Sequence, residues 1–353
     1  MRPKAAAAVA ATLAVVVSHD AVPDQPITSS VRYTREIVRI VQRKCLPCHA
    51  PGALSMSLAD YHAVRSWGRA IREEILEERM PPWPAAPGYG HFRNDLALTA
   101  RERTTLLAWI DGGMPRGEAA DLPAATAEGD ADGLADDPPD RRLVAPPQTV
   151  PADADDVVRR ITIPTGLTAP RRVQRVVVKP GDRRVVRAAL VFVEGTGVWL
   201  GAWLPWQASL APPEPHAFLL PARARLTLEL HYRGGEQRIV DRPVVELHFA
   251  GAEARRPIDQ IVLEAPAGGA AERTLDRDAA VWAIQPSPGP SARSLEVRAR
   301  RPDGAVEVLL WMPRCLPEWP QALVPRQPVA LPAGTTLRLV AEGGGVVVLS
   351  ALR

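Results

Sequence analysis

The sequence predicts a multi-domain α + β chain: an all-α N-terminal segment followed by a β-sandwich or jelly-roll module, built as two sandwiches. Three observations predict it. Apolar residues recur at helical spacing up to about Gly113, valine-rich alternating runs dominate from about Val157 onward, and an acidic, Pro- and Ala-rich stretch lies between. A chain of 353 residues is long enough for two or three cores, and its 37 prolines favour short strands and turns beyond the helical part.

Residues 1–21 read as a secretory signal or an uncleaved N-terminal anchor. Arg2 and Lys4 precede the apolar run Ala5 to Val17, and small residues follow near Ser18 to Ala21. The run is short for a membrane span. Three helical stretches are expected next. Tyr33, Ile37, Ile40 and Val41 lie on one face before Lys44; Tyr61, Val64, Ile71 and Ile75 share a face between Leu58 and Met80; and the capping pattern Thr99-Ala100-Arg101-Glu102 opens a helix that ends at Gly112-Gly113. Residues 123–156 read as a solvated linker, carrying Glu128-Gly129-Asp130-Ala131-Asp132 and Asp136-Asp137-Pro138-Pro139-Asp140. Strands are expected in two groups, 157–255 and 256–353. Leu226 to Tyr232 alternates apolar and polar residues, and Pro302-Asp303-Gly304 joins Leu295–Ala299 to Val306–Trp311 as a hairpin.

The chemistry concentrates in Cys45-Leu46-Pro47-Cys48-His49. Two thiols at this spacing followed at once by an imidazole form the pattern for covalent haem attachment: each thiol adds to one porphyrin vinyl group, and the imidazole lies beneath the iron. A zinc site would need further ligands, but Cys315, the remaining cysteine, stands alone and is expected to be a buried thiol. A redox dithiol would sit in a βαβ context, which is missing. Residues 22–122 are therefore expected to form a monohaem cytochrome c domain, with Cys45 and Cys48 as covalent thioethers to one haem c and His49 as an axial ligand.

The sixth ligand expected is Met80, in Arg79-Met80-Pro81-Pro82-Trp83, where the prolines hold the backbone extended. Met56 and Met114 are alternatives better suited to packing, and His62 or His91 would give a bis-imidazole iron. Methionine ligation raises the potential relative to two histidines and fills both axial positions, which suits electron transfer over chemistry at the iron.

These motifs, with Ser57 to Tyr61, Ala108 to Gly113, Leu226 to Tyr232, Arg301 to Gly304 and Leu331 to Thr335, make the chain resemble exported proteins that join a c-type cytochrome to a copper type II, ascorbate-dependent monooxygenase-like module. The resemblance covers most of the chain after the leader. It implies two copper sites, and the departures argue against both: Val185-Val186 is followed by Arg187-Ala188 where a His pair is expected, and Pro286-Ser287-Pro288-Gly289-Pro290 lacks the histidines of the second site. His231 alone stands where a ligand is expected, and one imidazole does not make a type II site. His216 and His248 match no ligand set, so bound copper is not expected.

The resulting expectation is a periplasmic electron carrier whose β module docks it on a redox protein or a membrane-bound electron-transfer complex. Trp199, Trp203 and Trp206 are candidate partner anchors or core residues, and Arg171-Arg172, Arg183-Arg184 and Arg300-Arg301 a candidate basic face. The basic leading helix, with Arg32, Arg35, Arg39, Arg43 and Lys44, could steer acidic partners. A copper monooxygenase fed by its own haem, or a structural subunit with an idle haem, are the alternatives. The net charge of +3 gives no sign of nucleic-acid binding, and no span is expected in the mature chain.

Overall fold

A computed structural model describes residues 30–124 and 138–352, apart from Ala208 and Arg255. The leader expected over 1–21 and the acidic part of the expected linker, 125–137, lie outside the described residues. The chain is mostly β, about 40% strand against 15% helix, and this corrects the expected all-α cytochrome domain: the N-terminal part is one short helical region, not a closed helical domain.

The physical reason lies in helix length and in the destination of the apolar residues. A π-helical turn, Tyr33–Ile37, runs into α1 (Val38–Lys44), followed by α2 (Leu46–His49), α3 (Tyr61–Ser66), α4 (Gly68–Leu76) and α5 (Ala100–Asp111). The single helix expected from Leu58 to Met80 is interrupted at Trp67, and Gly68, which opens α4, has no room for a side chain because Met114 packs against it. The helices close a small core of Tyr33, Ile37, Val41, Val64, Leu106 and Trp109. Ala85 and Phe92, in the Pro- and Gly-rich segment after Met80, are instead buried in a β core, with Trp83 packed beside them. Only α5 has the ends its sequence promised: the Thr99 hydroxyl accepts from the Glu102 amide, and the Glu102 carboxylate accepts from the Thr99 amide at 2.9 Å.

The β part consists of two sandwiches. In the first, one sheet runs in the order Arg141–Val144, Val244–Phe249, Arg171–Lys179, His216–Leu220, Arg256–Pro257, and the other in the order Val157–Pro164, Arg225–Tyr232, Val186–Val193, Trp199–Trp203. Arg141–Val144 and Gln148–Val150 are strands inside the stretch expected as linker. The former pairs with Val244–Leu247 and the latter with Ile239–Asp241, so the solvated segment is shorter than its composition suggested. In the second sandwich, Asp259–Ala265, Gly345–Leu352, Ala279–Pro288 and Val329–Leu331 face Ala270–Thr274, Thr336–Glu342, Ser294–Arg300 and Val306–Met312. Here the period of two is plain: Leu337, Leu339 and Ala341 point inward while their neighbours face out. The Asp303 carboxylate accepts from the Ala305 amide at 3.0 Å and Gly304 takes φ 89°, which closes the expected hairpin.

The pieces pack on one another. Val186–Val193 is buried on nearly all positions because the second sandwich contributes Trp282, Trp319, Ala322 and Val324 to the first sandwich's core. The helical region joins both through Asn94, whose amide nitrogen donates to the Ala322 carbonyl (2.7 Å) and to the Gln207 side chain while its oxygen accepts from the Val324 amide (3.0 Å). Among the described residues no helix is long and apolar enough to cross a membrane.

Candidate functional site

The cysteine pair lies where α1 ends. Lys44 closes that helix, the Cys45 amide still reaches the Val41 carbonyl (2.9 Å), and the amides of Cys48 and His49 return to the Cys45 carbonyl at 3.1 and 3.0 Å. Pro47 sits in the first turn of α2, where its missing N–H costs nothing. One helical turn thus carries both thiols and the imidazole.

This turn forms one wall of a cavity that is partly open to solvent. The walls are almost wholly apolar, with Leu58, Val64, Ile75, Leu98, Leu106 and Trp109 among them, and Cys45, Cys48, His49 and Met80 all face the same space. Met80 follows α4, which ends at Leu76; Glu78 takes φ 55°, and the amides of Arg79 and Met80 both return to the Glu74 carbonyl, at 2.9 and 3.3 Å. At 37% exposure Met80 is an apolar side chain left at the cavity rim.

The electrostatics fit neutral groups. Burial is the main cause that pushes the Cys45 and Cys48 thiols each up to about 12. They are therefore protonated at neutral pH, unlike the thiolates of zinc sites and of reactive dithiols. Desolvation lowers the His49 pKa, so its ring is neutral, and Nδ1 lies 3.0 Å from the Met56 carbonyl. A neutral imidazole donating from Nδ1 to a carbonyl keeps Nε2 as a free lone pair, the arrangement of a histidine prepared to ligate.

Of the other candidate ligands, Met56 also lines the cavity, but its own carbonyl ties it to the His49 side. Met114 is absent from the lining and packs on Gly68. His62 and His91 are exposed; His62 rests against the Tyr61 ring, and neither faces the cavity.

Among the described residues the β module gathers no comparable set of ligand side chains. His231 lies 2.9 Å from Glu229 through Nε2, while His216 and His248 stand on strands of the opposite sheet, beside the Pro213 carbonyl and Arg175. Among the described residues no three of His, Cys, Asp and Glu converge on one point. Trp199 and Trp203 are fully buried and Trp206 packs on Trp319 at 5.4 Å, so these rings belong to the core and the contact between sandwiches. Arg183 lies over Trp203, Arg184 is paired with Asp182, and Arg301 with Glu307. Cys315 is buried and its thiol is pushed up to about 11 by that burial. Sequence reasoning missed the Met56 carbonyl, Asn94, Arg314 and Gln321, whose roles are set by backbone groups that tertiary structure brings to them.

No protein-family pattern and no curated protein matches the chain. Among solved structures, an allantoicase from Saccharomyces cerevisiae is 10% identical, over 55% of this chain and 77% of that one, with a TM-score of 0.20. A conserved protein of unknown function from Pseudomonas aeruginosa is 11% identical, over 59% and 98%, with a TM-score of 0.20. The major capsid protein P2 of bacteriophage PM2 is 8% identical, over 60% and 97%, with a TM-score of 0.24. Likeness this slight assigns nothing to the chain. The structure itself is mostly β with few helices, and the expected kinship with cytochromes fused to a monooxygenase-like module is corrected accordingly. The β motifs behind it are turn signals such as Arg301 to Gly304, which recur wherever a hairpin needs a residue with positive φ.

Proposed function

We propose that this chain holds one covalently attached haem c in the helical cavity and passes single electrons, outside the cytoplasm, to or from a redox protein or a membrane-bound electron-transfer complex. The observation that carries the reading is that Cys45, Cys48, His49 and Met80 line a single apolar cavity. The donor set suits the group: two protonated thiols for thioethers, a neutral imidazole with its lone pair free, and a thioether. What haem supplies when bound there is a one-electron iron couple, raised in potential by His/Met ligation over a bis-histidine site.

The chain's own residues do the rest. The sulfurs of Cys45 and Cys48 would fix the porphyrin to α2, and the Met56 carbonyl fixes the His49 tautomer and ring plane. Leu98, Leu106 and Trp109 line the cavity with apolar surface, which lowers the local dielectric. Met80, at the rim, would offer its thioether as a second ligand from the protein.

The test is expression with a haem-attachment system, acid–acetone extraction and spectroelectrochemistry. Haem that stays with the protein, is lost from Cys45→Ala/Cys48→Ala, and gives a reversible low-spin couple with a near-infrared sulfur-to-iron band is the expected result. Fully extractable haem, or none, overturns the proposal.

A further inference from the structure

The backbone that carries Met80 is held on both sides by the second sandwich. Before it, Arg314 donates to the carbonyls of Glu77 (3.4 Å) and Glu78. After it, the buried Gln321 side chain donates from Nε2 to the Pro82 carbonyl at 3.1 Å. The Ala86 amide then bonds to the Trp311 carbonyl (2.8 Å), and Trp83 meets Phe92 edge-on beside the second sandwich's core. α4 has already ended, and within its own region the Met80 segment is held by the two backbone bonds to the Glu74 carbonyl, the bond from the Glu78 amide to the Ile75 carbonyl, and exposed ion pairs of Arg79 with Glu74 and of Arg103 with Glu78. Cys45, Cys48 and His49 stand on a different support, the turn that continues α1.

We infer that Arg314 and Gln321 are positioning residues for the Met80 thioether, so that the second β-sandwich, beside the helical region, helps to fix where that thioether would meet a bound haem. The inference rests on the haem reading above. A thioether is a weak ligand, and it holds the iron only if its backbone has no conformational freedom to regain on letting go. Arg314 and Gln321 remove that freedom within three residues on either side. The β module thereby acquires a role: it helps to set how firmly methionine is held, and with it the potential.

The experiment uses the full-length, haem-loaded protein and competes Met80 with imidazole, following loss of the sulfur-to-iron band. Gln321→Leu is a sharp probe. Gln321 Oε1 has no hydrogen-bond partner among the described residues, so the change removes one bond to the Met80 segment together with one buried, unsatisfied oxygen, and overall stability stays close to wild type. Imidazole should bind Gln321→Leu about fivefold more tightly, the effect of one neutral hydrogen bond, and Arg314→Ala, which loses two bonds from a charged donor, at least about fivefold more tightly. The midpoint potential should fall in both, and Arg314→Lys should recover part of the change. Arg338→Ala, which removes an ion pair to Glu272 on outer strands, should match wild type throughout.

If the Gln321 and Arg314 variants keep wild-type imidazole affinity, band intensity and potential, the positioning role is wrong while the haem reading stands. If the haem-loaded wild type lacks the band, Met80 is not a ligand and both fall. Should either variant fail to fold, Arg314→Lys and Gln321→Asn keep the polar groups with shorter reach; wild-type imidazole affinity in both overturns the inference.

Discussion

Tyr232→Phe tests whether the first sandwich is pinned by a buried polar pair. The Tyr232 hydroxyl donates to Asp241 Oδ2 at 2.7 Å, and the other oxygen of Asp241 accepts from the Asp182 amide at 2.8 Å. Asp241 is fully buried and Tyr232 is 1% exposed, so water cannot replace the lost donor. Phenylalanine keeps the ring and its packing, which leaves the hydrogen bond to a charged acceptor as the difference, about 1.5–3 kcal/mol. Urea unfolding of the two proteins reads that difference. In an Asp241→Asn background the same substitution should cost less by about 1 kcal/mol or more, since paired sites are not additive. The pH dependence supplies an independent check. Burial first, then the hydrogen bond to Asp241 and its charge, raise the Tyr232 pKa above the ordinary value. The unfolded state therefore releases this proton near pH 10 while the folded state keeps it. The stabilisation is complete below pH 10 and falls by about 1.4 kcal/mol per pH unit above it. Tyr232→Phe lacks that loss, so the two stability curves should converge as pH rises past 10. A cost below about 0.5 kcal/mol at neutral pH, or curves that stay parallel above pH 10, would refute the argument.

Asn94→Leu removes both bonds from its amide nitrogen and the acceptor of the Val324 amide, at a half-buried junction of all three parts of the chain. It should cost about 2–4 kcal/mol in denaturant unfolding and decouple the helical region from the sandwiches, seen as separate transitions by far-UV circular dichroism and tryptophan fluorescence. A single unshifted transition would show that the junction is incidental. Thr99→Ala takes away the hydroxyl cap of α5 and should cost about 1 kcal/mol. Burial works against ionisation of Glu102, but the Thr99 amide and hydroxyl and Arg43 outweigh it and hold the carboxyl below its usual range. The stabilisation by Glu102 is thus present above the ordinary glutamate pKa and lost as pH falls through the lower folded value. Thr99→Ala should flatten that acid limb, and an acid limb identical to wild type would contradict the capping box.

The parts of this molecule that were legible in its sequence are those specified by covalent spacing or by a local period. The Cys45 to His49 turn follows from five consecutive residues. The cap at Thr99 follows from four, and the alternation of Thr336–Glu342 from the geometry of a strand with one dry face. The helical region misled because its period names a face and not the core that receives it. Trp83, Ala85 and Phe92 are apolar residues in a Pro- and Gly-rich segment, and nothing local says that they serve a β-sandwich that begins more than 160 residues further along the chain. Arg141–Val144 was hidden for a related reason. As a sheet-edge strand it buries one side chain, Leu143, so its composition is that of a solvated linker although its backbone is paired throughout with Val244–Leu247. The same limit governs the site. A thiol or an imidazole announces its chemistry by residue type, whereas Arg314 and Gln321 act by donating to carbonyls, which every residue owns. Such a role depends on where the fold brings an ordinary side chain, and only the packed structure can reveal it.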